Sequence, residues 1–278
     1  MRKLIYAGSA AALITLAILS CKKSATNSAD SALLTDDEKA LIASAGFNNL
    51  WAERSSDGGY LIEGDIFLNK AQLKEMAGAT PTHNFIVGDE EHYRTFNVVN
   101  TSGGIRDISI RLGSGFPSYY STALDNVIAR YNSYGLNITF SRVTSGGNIV
   151  ISGANLGTSG GGCILGRASG FPDSNGNPSP GFTLSTSSCA TTYINTVDKA
   201  DEVMAHEIGH CIGFRHTDYK RRNSCGPGAG ESAGSIGAVW IPGTPPNVSG
   251  NYDSWMMACT NGKPNFNADD VIALKYVY

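Results

Sequence analysis

The chain is 278 residues long, carries a formal net charge of −3, and is 41% hydrophobic. That length gives one domain of ordinary size with room for a smaller second one. No basic stripe offers a footing for nucleic acid, since Lys220-Arg221-Arg222 is a short solvated cluster, and 33 glycines with 16% charged residues suit a loop-rich, extracytoplasmic fold better than a disordered chain.

Residues 1–20 have the build of a signal peptide: Arg2-Lys3, an apolar run from Ala10 to Leu19, then Ser20. The run is too short for a comfortable membrane span. Ile18-Leu19-Ser20-Cys21 resembles a bacterial lipobox. This implies a lipid on Cys21, a tether over 21–34, and a membrane-anchored protein at the cell surface or in the periplasm. The alternative is an ordinary secretory signal cut near Ser20. Thr35-Asp36-Asp37-Glu38 is a capping box that opens a short helix through Leu41 and Ile42, stopped by Gly46. Residues 58–68 read as strand, a Gly-Asp break, then strand, and Asn69 caps a second short helix.

From about residue 105 the pattern is regular. Ile108, Ile110 and Leu112 alternate, predicting a strand over 107–112. Leu124, Val127, Ile128 and Tyr131 fall on one helical face, predicting a helix over roughly 119–133, ended by Gly135. Strands follow at 138–143 and 148–152, then a long loop over 155–180. Within it, Asp173-Ser174-Asn175-Gly176-Asn177 places oxygens at alternate positions as calcium loops do. It lacks the Gly-x5-Glu that follows in such loops, so an Asp/Asn turn is the favoured reading and structural calcium the weaker one. Phe182 to Thr186 reads as an edge strand and Thr191 to Val197 as another strand. Asp198 caps a helix over about 199–212, and Asn267 caps a C-terminal helix from Ala268 carrying Val271, Ile272 and Leu274.

The densest chemistry lies in His206-Glu207-Ile208-Gly209-His210-Cys211-Ile212-Gly213-Phe214-Arg215-His216. His206 and His210 are four apart, on one helical face, where two imidazoles grip one zinc ion. Glu207 stands beside them, placed to take a proton from a water that the metal acidifies to a pKa of roughly 7. Gly213 can turn left-handed and end the helix, letting His216 return as third ligand. Three protein ligands leave an open position, the mark of a catalytic zinc.

This HExxHxxGxxH pattern is similar to that of the metzincin metallopeptidases. Downstream, Asp253-Ser254-Trp255-Met256-Met257 resembles their Ser-x-Met turn, which implies that Met256 forms the floor beneath the zinc. The wording HEIGHCIGFRHTD resembles the bacterial dual-action HEIGH metallopeptidases, with Thr217 where astacins have Glu. The resemblance covers about 105–278. It implies an α+β zincin fold: a twisted mixed sheet, two main helices above the cleft, and an irregular lower subdomain over 217–278 ending in a helix. It also implies a monomeric zinc endopeptidase with Glu207 as general base, and a protein or peptide substrate lying extended along the edge strand at Phe182 to Thr186. Ala258 stands where astacins carry a Tyr, a departure shared with matrixin-like members. Two competing readings stay open: a non-hydrolytic surface protein that binds through a zinc fold, and a zinc amidase acting on non-protein amides.

Ile62-Glu63-Gly64-Asp65-Ile66 resembles the Phe-x-Gly-Asp motif of astacin pro-segments, with Ile62 in place of Phe. The resemblance implies that 35–104 is pro-segment-like and that Asp65 is a latency switch ligating the metal. The alternative is a Gly-Asp turn in an accessory region. A cysteine switch is closed to this chain, because no cysteine falls between Cys21 and Cys163. Beyond Cys21, the cysteines are 163, 189, 211, 225 and 259, an odd set that leaves at least one free. Cys163 and Cys189 flank one loop and are natural partners. Cys259 has Cys211 or Cys225 to choose from, and Cys211 also reads as a buried free thiol on the helix stripe with Met204 and Ile208.

Overall fold

The computed structural model of the protein describes residues 33–78, 92–226, 229–245, 253–260, 262 and 265–278. The signal-like segment, the lipobox with Cys21 and most of the tether lie outside the described residues. Among the described residues, no helix is long and apolar enough to cross a membrane.

The N-terminal stretch is built as its local chemistry dictates. Thr35 and Glu38 close the capping box of α1 (Asp36–Ser44) reciprocally, with Glu38 N donating to Thr35 Oγ1 at 3.3 Å and Thr35 N to Glu38 Oε2 at 2.7 Å. β1 (Ala52–Arg54), β2 (Tyr60–Ile62) and β3 (Ile66–Leu68) form an antiparallel meander. Between β2 and β3, Glu63 and Gly64 both take positive φ (55° and 89°), the tight reversal predicted for the Gly-Asp break. Asn69 opens α2 (Lys70–Gly78) by accepting from Ala71 N and Gln72 N.

After β4 (Tyr93–Arg94) comes the main body: β5 (Arg106–Leu112), α3 (Ser118–Asn132), β6 (Ile138–Val143), β7 (Ile149–Ala154), the hairpin β8 (Thr158–Ser159) and β9 (Gly162–Cys163), then β10 (Gly166–Ala168) and β11 (Gly181–Ser185). Then follow α4 (Ser188–Tyr193), α5 (Val197–Cys211), β12 (Val239–Trp240) and α6 (Ala268–Val277), whose Asn267 cap forms a second capping box with Asp270. The eight-stranded mixed sheet runs β1-β2-β3-β10-β11-β7-β5-β6. Alternate residues Ile108 and Ile110, Ile149 and Ile151, Phe182 and Leu184 are buried in one core with Leu124 and Val127 of α3 and Met204 and Ile208 of α5. Each such side chain contributes about 1.5–3 kcal/mol. Arg130 of α3 pairs with Asp201 of α5 at 2.5 Å, and Tyr131 donates its hydroxyl to Ala205 O at 2.9 Å, so the two main helices are tied along their length.

Three expectations are corrected. The strand at Phe182 to Thr186 exists as β11, but it is internal, parallel to β7 and antiparallel to β10. The antiparallel strand beyond it is β10, from within the stretch read as loop. Three residues, Gly-Arg-Ala, carry no alternation to detect. Thr191 to Val197 is not a strand: α4 occupies its first half. Ser187 caps it through Ala190 N, and the hydroxyls of Thr191 and Thr192 bond back to the carbonyls of Ser187 and Ser188, overriding the β-preference of paired threonines. The zinc-motif helix starts at Val197 under a Thr196 cap, leaving Asp198 in the first turn.

The calcium reading of 173–177 finds no support either. Asp173 accepts from Asn175 N and Asn177 N at 2.9 and 2.8 Å, and Arg106 donates to Gly176 O and Asn177 Oδ1, so a guanidinium stands where a cation would bind. Cys163 pairs with Cys189 and Cys259 with Cys225, and Cys211 is the buried free thiol.

Residues 92–100 run through the 105–278 body. Arg215 N donates to Tyr93 O and Thr95 N to Gly213 O, β4 pairs with β12, and Val99 N donates to the Tyr278 hydroxyl. Residues 35–78 join that body at β10 and again at 229–230: β3 lies parallel to β10, with Ala168 N donating to Asp65 O at 2.7 Å, and Asn48 Nδ2 and Trp51 Nε1 donate to Gly230 O and Ala229 O.

Candidate metal centre

α5 carries His206 and His210 one turn apart, and their Nε2 atoms lie 3.1 Å from each other. Gly213, at φ 107°, turns the chain out of the helix and brings His216 back, its ring 5.4 Å from that of His206 and 4.9 Å from that of His210. Thr95 secures the turn by donating its backbone N–H to Gly213 O at 2.8 Å. Each imidazole is oriented through its other nitrogen. His206 Nδ1 donates to Trp255 O at 2.9 Å and His210 Nδ1 to Phe214 O at 2.8 Å, while His216 Nδ1 meets Glu231 Oε1 at 2.5 Å. These bonds leave three Nε2 lone pairs pointing at one spot.

Asp65 completes the cluster. Its Oδ2 lies 2.7 Å from His216 Nε2, 3.3 Å from His206 Nε2 and 3.7 Å from His210 Nε2. The four ligand atoms fall within 4.8 Å of one another. Three imidazole nitrogens and a carboxylate oxygen converging this closely make a set that could hold a metal ion, and a three-imidazole, one-carboxylate set suits zinc. The charges agree. Burial pushes His210 down to about 4, in spite of Asp65, so it stays neutral as a ligand must. Burial also opposes the His216 charge, but the carboxylates of Asp65 and Glu231 outweigh it and hold the imidazole up to about 10. A bound metal ion takes that proton's place. Despite its burial, Asp65 is held well below the ordinary carboxylate range by the same histidines.

Glu207 is buried beside the cluster, and its Oε2 has no hydrogen-bond partner. Burial pushes its carboxyl well above the usual range, and the Asp65 charge adds to this. It lies against β10: a β-carbon on Gly166 would come within 2.4 Å of Glu207 Oε1. Met256 sits against the helix backbone, since a β-carbon on Gly209 would fall 2.3 Å from its Sδ. The turn around it is tied to the third ligand by Thr217, whose N–H donates to Met256 O at 2.7 Å and whose hydroxyl lies 2.6 Å from Ser254 Oγ. Behind the turn, the buried pair His92–Asp270 (2.7 Å) receives Trp255 N on the other Asp270 oxygen.

Four residues were missed by sequence reasoning. Glu231 supports His216 and pairs with Arg222, which is buried and not solvated as its place in a basic cluster suggested, while Arg215 holds Glu63 at 2.6 Å. Glu231 sits in irregular chain with no periodicity to flag it, and Arg215 and Glu63 each fill a variable slot of a motif. A cleft of about 540 Å³ opens in front of Glu207 and Asp65, walled by the β8–β9 hairpin and the Cys225–Cys259 bridge.

The family model described as the dual-action HEIGH metallopeptidase matches residues 60–278. No curated protein matches. Two solved structures of myroilysin are similar. One is 18% identical with a TM-score of 0.29, over 41% of this chain and 43% of that one. The other is 16% identical with a TM-score of 0.33, over 65% of this chain and 93% of that one.

Proposed function

The chain belongs to the dual-action HEIGH metallopeptidase family, which makes it a zinc metallopeptidase, and from that premise we propose that it is an extracytoplasmic endopeptidase held latent by its own Asp65. His206, His210 and His216 hold the metal in this reading, and Met256 supports it from beneath. Zinc bound there supplies a Lewis acid that acidifies water and polarises a peptide carbonyl. Glu207 accepts the proton of the attacking water, a task its partnerless Oε2 beside the three histidines suits, and passes it to the leaving amine. The observation that carries the reading is the convergence of three oriented Nε2 atoms with a buried, unengaged carboxylate beside them.

Latency rests on Asp65 Oδ2, which occupies the ligand position a substrate carbonyl needs. It arrives on a segment that also covers β10, the strand an extended substrate would pair with. The segment to be released ends before His92, because 92–100 secure the Gly213 turn and support the Met256 turn. Residues 1–20 direct export and Cys21 carries the lipid. The test is zinc-loaded Asp65→Ala protein with unfolded casein, all new termini read by mass spectrometry. Cleavage supports the endopeptidase. Hydrolysis of small amides alone would favour the amidase, and no hydrolysis with zinc bound would favour a binding protein.

A further inference from the structure

The segment that carries Asp65 into the centre brings a second carboxylate two residues earlier. Glu63 is 1% exposed, and its Oε1 accepts from Arg215 Nη2 at 2.6 Å, while its main-chain carbonyl accepts from Arg222 Nη1 at 2.8 Å. Arg215 is organised without Glu63. Its guanidinium stands over the Tyr219 ring at 4.9 Å and the Phe171 ring at 5.7 Å, and it donates to Gly237 O at 2.8 Å and Ser232 O at 3.1 Å. Among the described residues the other anion in reach is Glu231, with Oε2 at 3.5 Å, and Glu231 is already engaged by Arg222 and His216. Two guanidinium groups therefore face two carboxylates while Glu63 is present, and one when it leaves.

We propose that the slot filled by Glu63 is a substrate subsite, and that the enzyme selects peptides with a glutamate side chain beside the scissile bond, on the His216 side of the centre, with Arg215 as the selecting residue. This deepens the endopeptidase reading and rests on it. The segment that carries Glu63 lies on the ground a substrate must use: Asp65 and Ile66 pair with β10 through the main chain, and Asp65 sets a carboxylate among the three histidines. A peptide that replaces it meets the same buried guanidinium. A neutral side chain leaves that charge without its partner, which is a penalty against the peptide and not merely a missing gain. Aspartate is one methylene too short to reach Arg215 from the same backbone position, so glutamate is favoured over it.

The test has two arms. In the first, zinc-loaded Glu63→Ala/Asp65→Ala protein cleaves a peptide mixture and termini are read by mass spectrometry. Glutamate should be enriched over glutamine at one fixed position by roughly 30-fold or more, and adding Arg215→Met should abolish the enrichment. If that variant does not fold, Arg215→Lys, which keeps the charge and loses the fork, should reduce it. Cleavage without enrichment would overturn the proposal and leave Glu63–Arg215 as a clamp on the segment. The second arm needs no hydrolysis: propionate, the detached side chain of glutamate, should raise the melting temperature of Glu63→Ala where propionamide does not. No such difference would overturn the carboxylate slot. A propionate effect with no peptide cleaved by any zinc-loaded variant would support the slot and sink the peptidase reading instead.

Discussion

Gly166 is where a single methyl group should reach the chemistry. It lies on β10 and lacks a positive φ, so its backbone tolerates alanine. The added carbon would stand 2.4 Å from Glu207 Oε1, 2.9 Å from Cδ and 3.0 Å from Cγ. Ordinary contact needs about 3.4 Å, so the carboxylate must retreat by about 1 Å, and a misplacement of that size costs on the order of 100-fold in rate. The three nearest atoms all belong to Glu207 and none to His206, His210 or His216, so zinc should stay. The assay is kcat on a fluorogenic peptide for Asp65→Ala with and without Gly166→Ala, with zinc content and melting temperature measured alongside. A fall of about 100-fold at unchanged zinc stoichiometry is expected. Undiminished kcat with zinc in place would refute the claim that Glu207 works from the position seen against β10.

Gly209→Ala should push Met256 off the helix, since the new carbon would fall 2.3 Å from its Sδ and 3.0 Å from Trp255 Nε1. A loss of about 1–3 kcal/mol in denaturant unfolding is expected, as for other overpacked sites. Glu231→Gln keeps a hydrogen bond to His216 but removes its charge, and zinc affinity should fall about 10–100-fold in competition with a chelator. Asp270→Ala strands His92 and frees Trp255 N in a buried place. It should destabilise the protein by about 3–5 kcal/mol, read from urea melts.

What could be read from the sequence follows the range of the interactions. The metal helix was legible because the offsets of His206 and His210 are a property of one helix, and Gly213 signals its end through backbone freedom alone. The capping boxes at Thr35 and Asn267 are equally local. Asp65 was legible through a motif, but its distance to His216 is a tertiary fact. β10 was not legible: three residues, one of them a glycine pressed on Glu207, are held in the sheet by partners from β3 and β11. Thr191 and Thr192 misled because paired threonines favour strands until a Ser cap offers their hydroxyls carbonyls to bond. Glu231, Arg215, Arg222 and Glu63 form a buried network among segments over 150 residues apart, such as Arg215 and Glu63, and no local pattern announces such a set.

The most direct measurement of the account compares three zinc-loaded proteins on casein: the unaltered chain, Asp65→Ala, and Asp65→Ala/Glu207→Ala, each with its zinc content determined. The account predicts that Asp65→Ala cleaves much faster than the unaltered chain and that the double variant keeps its zinc and does not cleave. Equal cleavage by Asp65→Ala and the double variant would contradict Glu207 as the base, and equal rates for the unaltered chain and Asp65→Ala would contradict the latency of Asp65.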